Sequence, residues 1–233
     1  MNRIVLDTET TNSIEEPIAY DIGWAVIDNA GKVLKTESYA VAEIFLDKAL
    51  MSCAYFADKI PQYWAEIKNG DRKLARLSTI YRTLRADCLA YEVTEIYAHN
   101  ARFDDLSLKL TQRFVSCSKY RYFLPYGVKI CDTLKMSYEA FGKDKKYNHF
   151  CKVNNYYTPR GKKKMTAEII YRFLSGENTF EEVHKGIDDV LIEKEILMEC
   201  LRRGVVNGAL YEWEHRPSMG ARARRRLPKM ASA

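Results

Sequence analysis

The spacing of apolar positions changes several times along this chain, and each change marks an expected element. Residues 3–8, "RIVLDT", carry three consecutive apolar side chains, Ile4 to Leu6, in the manner of a buried strand. "PIAYDIGWAVIDNAGKVLKTESYAV" follows as two strands around the turn "DNAG", which predicts a three-stranded antiparallel meander. From Phe45 to about Ala90 the spacing becomes helical, with Leu74, Leu77, Ile80, Tyr81 and Leu84 sharing one face. "EVTEIYAHN" predicts a short fourth strand feeding the helix "ARFDDLSLKLTQRF", whose apolar stripe is Phe103, Leu106, Leu110 and Phe114. "VKICDTLKMSYEAF" predicts a further strand and helix, with Asp132 as the helix cap. A helix from about Thr166 to Leu174 and a helical region from about Thr179 to Arg203 complete the pattern. In the latter, Thr179 and Glu182 have the S/T-x-x-E spacing of a capping box. Strands first and strand–helix alternation later predict an α/β fold with a mixed central sheet flanked by helices.

Composition narrows the class without naming a chemistry. At 233 residues, 47% apolar and 29% charged, the chain suits one globular domain with a full core. No apolar run approaches the roughly 20 residues of a spanning helix. With no signal-peptide pattern at the start, a cytoplasmic protein with no membrane partner is expected. The six cysteines include no C-x-x-C pair, so reduced thiols are expected, and Cys131, His149 and Cys151 lack the fourth ligand of a zinc site.

Charge is more informative than its net value of +6. Residues 143–165 hold eight Lys or Arg against one Asp, and residues 216–233 hold six against no acid. The remainder carries 23 basic and 30 acidic residues. Local concentration of positive charge on an acidic body suits the gripping of a polyanion. The expected organisation is therefore a catalytic domain over 1–215 with the basic loop 143–165 inside it, followed by a flexible basic tail over 216–233.

The chemistry is carried by acids that a strand would otherwise avoid. Asp7 and Glu9 are two apart at the end of the first strand, so they project from one face and repel. In α/β sheets the carboxyl ends of strands are where ligands gather. Asp104, four residues beyond Asn100, starts the helix after the fourth strand and can point back over the same end of the sheet. In "HKGIDDVLIEKEIL", His184 precedes Asp189 by five. Five residues of unbroken helix turn through about 500°, which leaves the two side chains roughly 140° apart. A kink at Gly186 is therefore expected, allowing both to face one cleft. Four converging carboxylates raise one another's pKa unless cations neutralise them, which points to a pair of hard divalent ions, Mg²⁺ or Mn²⁺. Such a pair activates water and holds a phosphodiester in line, and a neutral histidine beside it can take the proton of the attacking water.

With these residues in place the chain resembles the DnaQ-like, or DEDDh, 3′–5′ exonucleases, which include polymerase proofreading subunits, RNase T and oligoribonuclease. The matching segments are Asp7-Thr8-Glu9-Thr10-Thr11, Asn100 to Asp104, and His184 to Asp189, in family order. The resemblance implies a ribonuclease H-like fold, with Asp7, Glu9, Asp104 and Asp189 as metal ligands and His184 as general base. The H-x-x-x-x-D spacing selects Asp189 over its neighbour Asp188. Where the family commonly has glycine after the two threonines, Asn12 stands here, a residue that tolerates left-handed backbone. The backbone at Thr10 and Thr11 would receive the terminal nucleotide, with Asn100 beside it. "YDIGWAVID", "AEIIYRFL" and "IDDVLIEKEIL" look like small stand-alone exonucleases of phages and prophages.

In the basic loop Tyr147, Phe150, Tyr156 and Tyr157 interleave with Lys145, Lys146, Arg160, Lys162, Lys163 and Lys164. Aromatic faces stack on unpaired bases while cations follow phosphates, a grip suited to single strands. The expected partner is a 3′ end of single-stranded nucleic acid, DNA ahead of RNA. A polymerase or replication partner is also in view. The alternatives are an exoribonuclease of the RNase T or oligoribonuclease kind, and a nucleic-acid-binding polymerase accessory. His99 is expected to be a satisfied structural histidine and His149 a loop residue.

Overall fold

The computed structural model describes residues 1–117, 122–206 and 208–210. The basic tail over 216–233 and the domain boundary near 215 lie outside them. Six strands form one sheet: β1 (Arg3–Thr11), β2 (Ile18–Ile27), β3 (Val33–Val41), β4 (Lys73–Ala75), β5 (Glu95–Ala98) and β6 (Lys129–Asp132). Their order is β4-β3-β2-β1-β5-β6. The first three pair antiparallel, as the meander predicts, and β4, β5 and β6 each pair parallel to a neighbour. This mixed sheet with helices on both faces is the predicted α/β architecture. Among the described residues no helix is long and apolar enough to cross a membrane.

Strand alternation sorts the core into two layers. Ile4 and Leu6 join Trp24 and Ile22 on one face, beneath α3 (Ile60–Asn69), α4 (Leu77–Ala90) and α5 (Ala101–Val115). Val5, on the other face, joins Tyr97 beneath α6 (Thr133–Phe141), α7 (Lys145–Val153), α8 (Ala167–Ser175) and α9 (Gly186–Arg202). Because both faces are covered, every residue of β2 is buried. Asp7 and Glu9 continue the Val5 face toward α9 until a bulge between Glu9 and Thr10 shifts the register. Asn12 then turns the chain with φ of 73°, the left-handed conformation the sequence admits.

The structure corrects four local expectations. Residues 45–90 are not one helical stretch but two short helices, α1 (Ala42–Phe45) and α2 (Lys48–Met51), then α3, β4 and α4. Leu74 lies in β4, paired with Ala40, and only Leu77 onward is helical. The helix-like spacing of Leu74 arose because a three-residue strand is too short to establish its own period.

The second correction concerns α5, which buries its polar side. Asp104, Ser107, Leu108 and Thr111 face inward, while Leu106 and Phe114 are exposed. The reason is the bulge: Ala19 of β2 donates its N–H to Thr111 Oγ1 at 2.8 Å, and Thr8 Oγ1 donates to Asp104 Oδ1 at 2.9 Å. Polar groups on α5 satisfy the irregular end of the sheet.

Third, residues 179–185 are not helical, and Thr179 and Glu182 form no capping box; α9 begins at Gly186. Fourth, the basic loop contains the helix α7, which carries Lys145, Lys146, Tyr147 and also His149, and then a tight hairpin. Asp132 caps α6 as expected, accepting from Leu134 N–H, and Thr166 caps α8.

Candidate active site

The carboxyl end of β1, the first turn of α5 and the first turn of α9 meet beside an open cleft of about 420 Å³. Asp7, Glu9, Asn100, His184 and Asp189 line it. Oxygen atoms of Glu9 and Asp189 and a ring nitrogen of His184 lie within 4.8 Å of one another, a spacing that could hold a metal ion. Asp104 sits immediately behind, 3% exposed and fixed by Thr8. Sequence segments nearly a hundred residues apart thus bring four acids into one electrostatic cluster.

The approach of α9 depends on two glycines. A Cβ on Gly23 of β2 would lie 2.6 Å from the Gly186 backbone, so the first turn of α9 rests directly on the sheet. Asp21 sits opposite Glu9 across the β1–β2 ladder and accepts the Gly186 N–H at 3.0 Å. Asp21 is itself fully buried and bound by Arg72 and by Tyr63 Oη at 2.8 Å. Arg72 and Lys185 both bind Glu66 on α3. This network anchors the start of α9, and the sequence reading did not find it. Gly186 therefore begins a helix in close contact with the sheet instead of kinking one already under way. His184 precedes it in left-handed backbone, φ 53°, which turns the imidazole into the same cleft as Asp189.

The cluster carries more negative charge than nearby cations can balance. Burial, then the carboxylates of Glu193, Asp104, Glu9 and Asp189, hold Asp7 well above the usual range. Glu9 is pushed up to about 9 by burial, then by Asp189 and Asp21. Asp104 and Asp189 rise to about 7, each chiefly through loss of water. Asp189 Oδ1 is buried with no hydrogen-bond partner among the described residues. An unpaired oxygen beside mutually repelling acids is a donor set that fits divalent cations.

Two acids that sequence reasoning passed over also belong here. Glu193 lies one turn beyond Asp189 on the same helix face, 3% exposed, and accepts the His99 N–H at 3.1 Å. Its i+4 spacing from Asp189 was the available signal. Glu182 lines the cleft and is raised to about 7, first by burial and then by Asp189.

His184 stacks on Phe56, with ring centroids 4.3 Å apart and planes 12° from parallel. Lys59 lies over the other ring system, 4.7 Å from the Phe56 centroid, and donates to the Val183 carbonyl. Burial and then Lys59 lower the His184 pKa, which favours the neutral imidazole. His99 is satisfied structurally, its ring bonded to Thr133 Oγ1 at 3.1 Å and to the Met165 carbonyl at 2.7 Å.

The expected nucleotide-contacting residues divide. Asn100 lines the cleft, with its N–H held by Asp132 at 3.0 Å. Thr10 and Thr11 do not line it, and the Thr11 hydroxyl is spent on the Leu50 carbonyl. Tyr147 is fully buried and donates to the Lys164 carbonyl at 2.6 Å, so its ring cannot stack on a base. Tyr156 is partly buried against Phe150 and accepts from Arg172 at 2.9 Å. Lys163 is turned inward onto the Gly142 carbonyl and Asn148. Lys145 and Lys146 are exposed but border neither the cleft nor the groove beside it. Tyr157, Arg160, Lys162 and Lys164 remain exposed, and Lys164 reaches the cleft.

No family model and no curated protein sequence matches the chain. Solved structures do match it in fold. Cell-death related nuclease 4 aligns at 12% identity and a TM-score of 0.55, over 87% of this chain and 64% of that one. Exonuclease I of E. coli, solved with a dA16 oligonucleotide, aligns at 13% identity and 0.54, over 87% and 41%. Exonuclease I of Methylocaldum szegediense aligns at 12% and 0.55, over 87% and 40%. The chain spans about two-fifths of the exonuclease I chains, and none of these matches bears on a phage origin. At 12–13% identity they establish one thing: this sheet and its helices form the ribonuclease H-like exonuclease fold.

Proposed function

We propose that this protein is a metal-dependent 3′–5′ exonuclease that removes 5′-mononucleotides from the 3′ end of single-stranded DNA. The observation that carries the reading is the convergence of Asp7, Glu9, Asp104 and Asp189 beside His184, acids whose burial and mutual repulsion hold them protonated unless cations take the place of the protons. A binding module has no use for such a cluster, because it repels the phosphates it would bind. The fold it shares with exonuclease I, which was solved bound to an oligonucleotide, supports the same chemistry.

Asp7, Glu9, Asp104 and Asp189 would hold the divalent ions, Mg²⁺ or Mn²⁺. When bound, these supply an activated water and stabilise the charge that develops on the phosphate and leaving oxygen. His184, kept neutral and fixed by Phe56, accepts the proton of the attacking water. Asn100, which lines the cleft, orients the terminal nucleotide, whereas Thr10 and Thr11 stand outside that lining. The 3′ polarity and removal of single nucleotides follow from the resemblance in the three motifs.

Digestion of 5′-labelled single- and double-stranded DNA and RNA, resolved on gels with Mg²⁺, Mn²⁺ or chelator, tests this reading. A ladder shortening from the 3′ end of single-stranded DNA, abolished by chelator, is expected. Faster loss of RNA would move the substrate to the exoribonuclease class, and intact 3′ ends in every lane would overturn catalysis.

A further inference from the structure

A second depression, of about 400 Å³, adjoins the catalytic cleft and is not explained by the metal chemistry. The two share Tyr138, Lys163 and Met165 in their linings, so they form one continuous path. Met165, 3% exposed, is its floor. Tyr138, on α6, is 51% exposed, and Tyr157 across the path is 37% exposed. Each therefore offers aromatic surface to a ligand.

The far wall is a built hairpin. Tyr157 bridges to Lys163, Thr158 N–H donates to the Lys162 carbonyl at 2.7 Å, and Gly161 takes a left-handed turn at φ 72°. Its base is tied down twice, by Tyr147 Oη on the Lys164 carbonyl and by the His99 ring on the Met165 carbonyl. Since Lys163 is spent on the Gly142 carbonyl and Asn148, Arg160, Lys162 and Lys164 are the cations the hairpin presents outward.

We propose that this groove, running from the carboxylates past Tyr138 to Tyr157 and Lys162, is the track for the unpaired nucleotides upstream of the scissile bond. This inference rests on the nuclease reading and adds the path of the substrate across the surface. Two exposed rings facing one groove can stack only on bases that are free of a complementary strand. Cations along the hairpin edge follow the phosphates. Charge also sets the direction, because the acid cluster accepts phosphate only with cations bound, whereas the hairpin attracts it without them.

The test compares Tyr157→Ala, Tyr157→Phe and Lys162→Ala with the wild type on two substrates. One is a single-stranded DNA oligonucleotide, and the other is the 5′-p-nitrophenyl ester of thymidine monophosphate, which has no upstream nucleotides. For Tyr157→Ala the ratio of kcat/KM on the oligonucleotide to that on the ester should fall about tenfold, as for loss of one stacked base. Tyr157→Phe should keep the wild-type ratio. Lys162→Ala should lessen the salt dependence of oligonucleotide KM. An unchanged ratio for Tyr157→Ala would overturn the track, as would equal loss on both substrates. If the wild type cleaves neither substrate, the nuclease reading fails. The track is then decided by anisotropy with a labelled oligonucleotide: binding about tenfold weaker in Tyr157→Ala upholds it, and equal binding removes it.

Discussion

Removing divalent ions should make the folded protein progressively less stable as pH rises above neutrality, and the size of this effect follows from the acid cluster. Glu9 titrates near 9 in the fold, Asp7 is held well above the ordinary range, and Asp104 and Asp189 lie near 7. In the unfolded chain all four ionise near 4. A raised carboxylate contributes no penalty below its unfolded pKa, and its cost grows as pH climbs from there to the folded value. Between pH 7 and 8.5 each proton retained by the fold and absent from the unfolded chain costs about 1.4 kcal/mol per pH unit, or about 2 kcal/mol over this interval. For a protein of this size each such proton lowers Tm by about 4–8 °C between pH 7 and pH 8.5. His99 and His184, lowered in the fold, are largely neutral in both states here, whereas the buried cysteines, raised in the fold, add a smaller loss of the same sign as their thiols begin to ionise in the unfolded chain.

The assay is thermal unfolding followed by circular dichroism in chelator and in millimolar Mn²⁺, at both pH values. Mn²⁺ should raise Tm more at pH 8.5 than at pH 7, because cations replace the protons as counter-charge. Glu9→Gln should flatten the slope in chelator. A Tm in chelator that is level across the interval, together with no response to Mn²⁺, would refute the convergence of these acids.

Three further outcomes test separate parts of the site. His184→Ala should lower kcat by a factor of about 10²–10⁴ and keep the Mn²⁺-dependent rise in Tm, and an unimpaired rate would remove His184 from proton transfer. Phe56→Ala should lower kcat with little change in KM because it frees the His184 ring, while Phe56→Tyr restores the stack; equal kcat in Phe56→Ala would show the ring is held otherwise. Arg72→Met leaves Asp21 buried without its cation and should cost about 3–5 kcal/mol, measured by urea unfolding, whereas a loss below about 1 kcal/mol would mean the network does not anchor α9.

Much of this architecture was legible because local chemistry and global fold agree. The apolar positions of β1 and β2, the turn between β2 and β3, and the Asp132 cap each depend on near neighbours in sequence. The acids at 7, 9, 104 and 189 were legible for the opposite reason. Charge placed where burial forbids it has few explanations, and their order along the chain resembles one family. The basic loop was read by composition, which records that cations and rings are present but not which way they point. Hence Tyr147 and Lys163, expected at the surface, are turned inward to tie the hairpin to α7 and the end of α6.

What the sequence by itself determined is the α/β sheet with helices on both faces and four of the acids, with the histidine, that meet at its edge. Only the tertiary structure decided that α5 buries its polar side, that β4 interrupts the second quarter of the chain, and that Asp21 and Arg72 hold the start of α9 against Gly23. The physical reason is range. A strand period or a helix cap is fixed within a few residues, whereas a buried ion pair, a glycine-to-glycine contact or a groove between two rings exists only once distant segments have packed.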